Sequence, residues 1–279
     1  MSKEGCPRGK HLSEPPVGVV VLAAGTSSRL GREKQLLPWH GMPLLGHVLR
    51  QALGARVSTV VAVLGHNAKG IREAVEPFLG SEERLLWVVN PDYLAKGMSS
   101  SLALGVKSLP AGAAGVIFLL GDQPLVRTEH LEALLCPFGA MEDPSRAILA
   151  ASWADHRCHP VLFGSGFFPE LVEVNGDEGA RSLIQKYRSC VTEVPVDADT
   201  SLDVDTWEDY GRWLETQEDS TPAGGARYDI IYMNEHAEVV DRPRASRAII
   251  REFDREGNVI FETTFALIRH DRQYRGDPQ

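Results

Sequence analysis

Between Leu22 and Pro38 the chain reads LAAGTSSRLGREKQLLP, which places Gly25, Gly31, three hydroxyl side chains, Arg29 and Lys34 in one short segment. Backbone N–H groups of such a loop form an anion nest, and glycine lets phosphate oxygens come close. Arg29 offers a planar fork for phosphate, and Lys34 a compact charge. The spacing is neither the GxxxxGK[ST] of a P-loop nor the GxGxxG of a dinucleotide fold. Read alone, it is either an anion loop of another kind or a βα turn with a solvated basic rim. A second signal is Val116-Ile-Phe-Leu-Leu-Gly-Asp122-Gln-Pro124, where a carboxylate stands at the end of an apolar run. Mg²⁺ takes one or two carboxylates together with phosphate oxygens and water, so Asp122 is a candidate ligand. Capping a turn is the commoner work of an aspartate there. The third is Asp203-Val-Asp205-Thr206. In extended chain Asp203 and Asp205 share a side, where like charges repel unless a cation joins them. Asp205 is the expected direct ligand of the two, with helix capping by Asp205 or Thr206 as the plainer assignment.

These residues need elements to hold them. Val17 to Ala24 is a continuous apolar, largely β-branched run, the pattern of a parallel strand buried on both faces. Further strands are expected at Ser58–Leu64, Leu85–Val89, Val116–Leu120 and Ala147–Ala151. Helices are expected at Pro43–Leu53, Ala68–Leu79, Ser99–Lys107 and Thr128–Leu135. The alternation predicts a doubly wound α/β fold with a mostly parallel sheet. Ligands of such folds sit in loops at the carboxyl ends of strands, where the three signals fall. Residues 218–225 have linker composition, and beyond them Tyr228–Met233, Ile249–Phe253 and Val259–Leu267 read as strands. The expected organisation is a transferase-type domain over 15–217 and a small all-β appendage over 226–279. In the appendage Arg242, Arg244, Arg247 and Arg251 alternate with acids, as on a solvated strand face.

The bulk numbers narrow the classes. With 279 residues, 43% hydrophobic and 24% charged, the chain buries a sizeable core. A formal net charge of −9 argues against a general nucleic-acid binder, but leaves room for a local basic pocket. No signal peptide or bilayer-length apolar run is visible, so a cytoplasmic protein without a membrane span is expected. Cys6, Cys136, Cys158 and Cys190 form no CxxC pair, which suits reduced thiols.

The run LAAGTSSRLGREKQLLPWHGMPLL resembles the opening signature of the MobA-like nucleotidyltransferases, in particular the molybdenum cofactor cytidylyltransferase (MocA-type) branch. The resemblance continues through Asn90-Pro-Asp92, Gly97-Met-Ser-Ser-Ser-Leu102, Gly121-Asp-Gln-Pro124, His159-Pro-Val-Leu-Phe163, Gly176-Asp-Glu-Gly-Ala-Arg181 and Asp203-Val-Asp-Thr206. It spans roughly Val17 to Leu214. It implies a nucleoside triphosphate bound by Leu22, Ala23, Ala24, Gly25, Arg29, Lys34, Asn90, Gly97, Ser99, Ser101 and Asp122. Mg²⁺ would be held by Asp122, Asp203 and Asp205, with Lys34, Arg29 and Asp122 serving catalysis. The Ala-Ala-Gly form resembles the CTP-using branch. The implied acceptor is molybdenum-bearing molybdopterin, contacted by His159, Pro160, Asp177, Gly179 and Arg181, and the implied later partner is a molybdoenzyme. Two departures stand out: Cys158 replaces the family's usual glycine before His159-Pro160, and residues 226–279 lie outside the resemblance. His156, Cys158 and His159 read as loop residues rather than a zinc site. Two alternatives stay open, another phosphorylated acceptor such as a sugar or polyol phosphate, and a cofactor-delivery protein without turnover.

Overall fold

The computed structural model describes residues 15–27, 30, 33–154, 156–176, 179–197, 203–215, 227–233, 239, 247–253 and 258–266. In chain order the elements are β1 (Val17–Ala23), β2 (Pro38–Trp39), β3 (Met42–Pro43), α1 (Leu44–Gly54), β4 (Thr59–Leu64), α2 (Ala68–Val75) and β5 (Leu85–Val89). Then come α3 (Tyr93–Lys107), β6 (Gly115–Leu120), α4 (Thr128–Gly139), β7 (Ile148–Trp153), β8 (His156–Gly164), α5 (Phe168–Glu173), α6 (Arg181–Lys186) and β9 (Val191–Pro195). The chain continues as α7 (Trp207–Glu215), β10 (Arg227–Met233), β11 (Arg247–Phe253) and β12 (Val259–Ala266). It packs as two compact units, Met1–Val204 and Asp205–Gln279.

The first unit holds a seven-stranded sheet in the order β5-β4-β1-β6-β8-β7-β9. Strands β5, β4, β1 and β6 pair in parallel, and only β8 runs against the rest. The fold is therefore α/β with a mostly parallel sheet, as the alternation of elements predicts. Its apolar runs are buried because helices cover both faces: Val20, Val61, Val63, Val116 and Phe118 pack with Leu102 and Val106 of α3. The chain leaves β1 for β4 and β5 on one side, then returns to β6 on the other. This reversal opens a crevice at the carboxyl ends of β1 and β6, the usual ligand position of such sheets. At that point Gly121 N–H donates to Leu22 O at 2.9 Å. A Cβ on Gly121 would meet that of Ala23 at 2.8 Å, so the two strand ends approach as only glycine permits.

Three sequence expectations shift. The helix expected from Ser99 begins at Tyr93 and is broken at Gly97, whose φ of 65° interrupts the helical path. His156, Cys158 and His159 are strand rather than loop: they form the polar front half of β8, whose rear half, Pro160–Gly164, is buried between β6 and β7. Cys158 and Cys190 are thiols, but Cys136 is disulfide-bonded, against the expectation for all four cysteines.

The second unit is a three-stranded antiparallel sheet, β10-β11-β12, with α7 contacting β10. Helix α7 thus packs with the appendage, although its sequence reads as the end of the first domain. Thr206 caps it: Asp209 N–H donates to Thr206 Oγ1 at 3.2 Å, and Thr206 N–H returns to Asp209 Oδ2 at 2.9 Å. On the sheet, Arg251 pairs with Glu262 across β11 and β12, as a solvated strand face does. Arg242 and Arg244 lie outside the described residues.

Helix α1 supports the crevice from behind through His47, which hydrogen-bonds the backbone of Pro124. Burial, with lesser repulsion from His40 and Arg50, pushes the His47 pKa down to about 4. An imidazole held neutral in the fold but protonated when unfolded stabilises fully above its unfolded pKa near 6.5. That stabilisation is lost as pH falls towards 4, by about 3 kcal/mol. Urea unfolding at pH 7 and pH 4.5 is therefore expected to show a smaller acid loss in His47→Gln than in the parent. Equal losses in the two proteins would refute this assignment.

Candidate active site

The loop after β1 is shaped from below by a side chain with no obvious role in the sequence. Gln35 is buried on the 3-10 turn Lys34–Leu36. Its Nε2 donates to Ala23 O at 3.0 Å and Gly25 O at 3.2 Å, while Ser27 Oγ donates to its Oε1 at 3.3 Å. Lys34 N–H in turn donates to Ser27 Oγ at 3.0 Å. In a trans peptide the N–H points opposite to the carbonyl. Tying these two carbonyls to Gln35 therefore turns the N–H groups of Ala24 and Thr26 away from it. Both residues line a cavity of about 420 Å³ with Gly25, Lys34, Gly97 and Asp122.

Lys34 Nζ is ion-paired with Asp122 Oδ2, and the two side chains are only 16% and 15% exposed. The other carboxylate oxygen, Asp122 Oδ1, is buried without a hydrogen-bond partner. A charged oxygen in that state is costly unless a ligand completes it, and a hard divalent cation is the ligand that fits. Asp203 is tied to the same strand end: Val204 N–H donates to Asp122 O at 3.0 Å, and Gln123 Nε2 donates to Asp203 Oδ1 at 2.6 Å. Asp205 opens the second unit, where its N–H donates to Asp209 Oδ2 at 3.3 Å. Among the described residues no cluster of three His, Cys, Asp or Glu side chains forms a closed metal cage. Mg²⁺ needs none, because substrate oxygens and water fill most of its shell.

Leu22, Ala23, Ala24, Gly25, Lys34, Gly97, Ser101 and Asp122 all reach this cavity. Asn90 and Ser99 stand behind its wall. The Asn90 amide donates to Ser100 Oγ at 2.8 Å and Ser101 Oγ at 2.9 Å, holding the start of the helix that follows Gly97. Ser99 N–H and Oγ both donate to Gly176 O. Arg29 and Asp177 lie outside the described residues.

A second cavity, of about 870 Å³, shares Leu22 and Met98 with the first. His159, Gly179 and Arg181 line it, and Pro160 is buried on β8 beneath. His159 Nδ1 lies 3.4 Å from Phe118 O, a geometry that gives Nδ1 the proton and leaves Nε2 an acceptor. Burial lowers its pKa, outweighing the Phe118 carbonyl and the Asp122 charge, so the ring is neutral near pH 7. Sequence reasoning missed Gln35 in the first cavity and Arg188 in the second. Arg188 follows α6 in a separate 3-10 turn, so no single-element periodicity in the sequence links it to Arg181.

A crevice at the switch point of a mostly parallel sheet, a glycine loop and a lysine–aspartate pair together define a nucleotide-handling α/β protein. The family model described as MobA-like NTP transferase domain matches residues 19–191. The chain is 32% identical to "Purine catabolism protein PucB" of Bacillus subtilis over 196 residues, 68% of this chain and 92% of that protein. It is 32% identical to "Nicotine blue oxidoreductase" of Paenarthrobacter nicotinovorans over 207 residues, covering 72% and 97%. Among solved structures, Rv0371c of Mycobacterium tuberculosis in complex with manganese is 34% identical at a TM-score of 0.58, covering 72% and 99%. This chain belongs to the MobA-like NTP transferase family and groups with its MocA-type branch. It is an enzyme of the nucleotidyltransferase type.

Proposed function

We propose that the protein transfers CMP from CTP to a phosphate of molybdenum-bound molybdopterin and releases pyrophosphate. The observation that carries this reading is the pair of cavities meeting at Leu22 and Met98, with Lys34 and Asp122 lining the first. CTP takes the first cavity, its phosphates against the N–H groups of the Ala24–Thr26 loop, Arg29 and Lys34. The acceptor takes the second, among His159, Gly179 and Arg181, and the roles of Pro160 and Asp177 in binding it are carried by the resemblance. The manganese in the Rv0371c complex supports a divalent ion here, and Mg²⁺ is the ion assigned, held by Asp122 and by Asp203 or Asp205. When bound, it supplies neutralisation of charge around the α-phosphorus. The protein's own part is alignment. Lys34 exchanges Asp122 for a triphosphate oxygen, Gln35 keeps the loop in shape, and neutral His159 accepts a hydrogen bond from the acceptor. A bond forms from an acceptor phosphate oxygen to the α-phosphorus as the bond to the β-phosphate oxygen breaks, and pyrophosphate carries away the electron pair.

An oxidoreductase name on one relative raises a second reading, but the Lys34–Asp122 pair with its unpartnered oxygen suits phosphate and metal better than hydride transfer. Another phosphorylated acceptor remains the alternative within the same chemistry. Residues 226–279 stand outside the chemistry in this reading, and the edge strands β10 and β12 are assigned to association with a molybdoenzyme. The nucleotide is tested by competition. CTP is expected to outcompete GTP for pyrophosphate release, because the Leu22–Gly25 turn has the form of the CTP-using branch. A tenfold preference for GTP, about 1.4 kcal/mol, would overturn the assignment.

A further inference from the structure

The second cavity is built unevenly. Its floor is apolar, with Leu102, Phe118, Val161 and Phe163, and its rim carries arginines. Of the three arginines that line it, Arg157 is already neutralised by Glu193 at 2.8 Å. Arg181 and Arg188 have no ion-pair or hydrogen-bond partner among the described residues. Both line the cavity with Ile184 and Gln185, Arg181 at the start of α6 and Arg188 in the 3-10 turn that follows the helix. The junction between helix and turn is fixed at Tyr187, whose Oη donates to Glu170 Oε1 at 2.8 Å. In a protein with 38 acidic residues and a net charge of −9, two guanidiniums unpaired over one apolar floor are a site that takes anions.

We infer that this cavity takes an acceptor with two anionic groups at opposite ends of an apolar body, one held by Arg181 and the other by Arg188. The inference rests on reading the cavity as the acceptor's, and it narrows that reading. A simple sugar or polyol monophosphate engages one arginine and leaves the other unpaired over the floor. An acceptor with a second anionic group engages both. Arg188 belongs to the recognition of substrate rather than to the reacting atoms, so its loss acts on acceptor affinity and leaves the nucleotide cavity unchanged.

Cys158 is a half-buried thiol lining the same cavity, and Cys190 is an exposed thiol that does not line it. Alkylation of each thiol, resolved by peptide mass spectrometry, therefore reports occupancy with an internal control and needs no turnover. The probes are hexane-1,6-diol bisphosphate and hexyl phosphate, added to the full-length protein without nucleotide. The bisphosphate is expected to half-protect Cys158 at a concentration at least tenfold lower than hexyl phosphate, with Cys190 unaffected. Arg188→Gln is expected to erase that advantage while CTP binding stays as in the parent. Equal protection by the two probes overturns the inference, as does an Arg188→Gln protein whose half-protecting bisphosphate concentration stays within twofold. Protection that follows the expected pattern in a protein inactive with every acceptor would leave this inference standing and count against the transfer reaction alone.

Discussion

Asp122→Asn is expected to lower kcat for pyrophosphate release by roughly 10²–10³-fold, about 3–4 kcal/mol in the barrier. The buried, unpartnered Oδ1 is the oxygen whose charge the substitution removes. Asparagine keeps a carbonyl oxygen for Lys34 to bond, so the fold loses only the charged part of one hydrogen bond, about 1–2 kcal/mol. Dependence on divalent ion is expected to weaken in parallel, read as a higher concentration of Mg²⁺ for half-maximal rate. A folded Asp122→Asn protein with kcat within tenfold of the parent would remove Asp122 from the chemistry. The sequence marks Asp122 as a strand-end carboxylate, a candidate metal ligand or a turn cap. Its pairing with Lys34, 88 residues away, is a property of the tertiary structure and gives it a stability role as well.

Gln35→Met is expected to raise the dissociation constant of CTP more than tenfold, above about 1.4 kcal/mol, with a smaller change in kcat at saturation. Methionine has nearly the same volume but no donor, so the carbonyls of Ala23 and Gly25 lose their partner. Each buried carbonyl left unpaired costs about 1–3 kcal/mol, and the loop relieves that cost by turning its peptides out of the binding arrangement. A purely structural role would lower the unfolding midpoint without changing CTP affinity. Isothermal titration beside urea unfolding separates the two, and unchanged CTP affinity would show that Gln35 does not shape the loop.

The parallel half of the fold was readable because its determinants are local. The runs at Val17, Ser58 and Val116 are apolar and bounded by turn residues, which suits strands covered on both faces, whereas the run at Leu85 forms the edge strand β5 with Leu86 and Val89 exposed. β8 was hidden for the opposite reason. Its first four residues break the apolar pattern, two exposed and two half-buried, and only pairing with β6 and β7 makes His156–Gly164 one strand. α7 gave no local hint of the unit it joins, because packing against β10 is a long-range contact. The site divides along the same line. Gly25, Lys34 and Asp122 announce themselves by residue type after strands, Gly97 and Ser101 enter only through the resemblance, and all five reach one cavity. Asn90 and Ser99 lie in equally distinctive motifs but are spent on holding Ser100, Ser101 and Gly176. Gln35 reads as an ordinary polar residue until its two carbonyl partners are seen.

The most direct test of the central claim follows the nucleotide's α-phosphate. The purified protein is incubated with Mg²⁺, CTP labelled at the α-phosphorus, and molybdenum-bound molybdopterin. The account predicts one pyrophosphate released for each label transferred to the acceptor, and no transfer when Mg²⁺ is chelated. A folded protein that binds CTP yet moves no label to this or any other phosphorylated acceptor would contradict it.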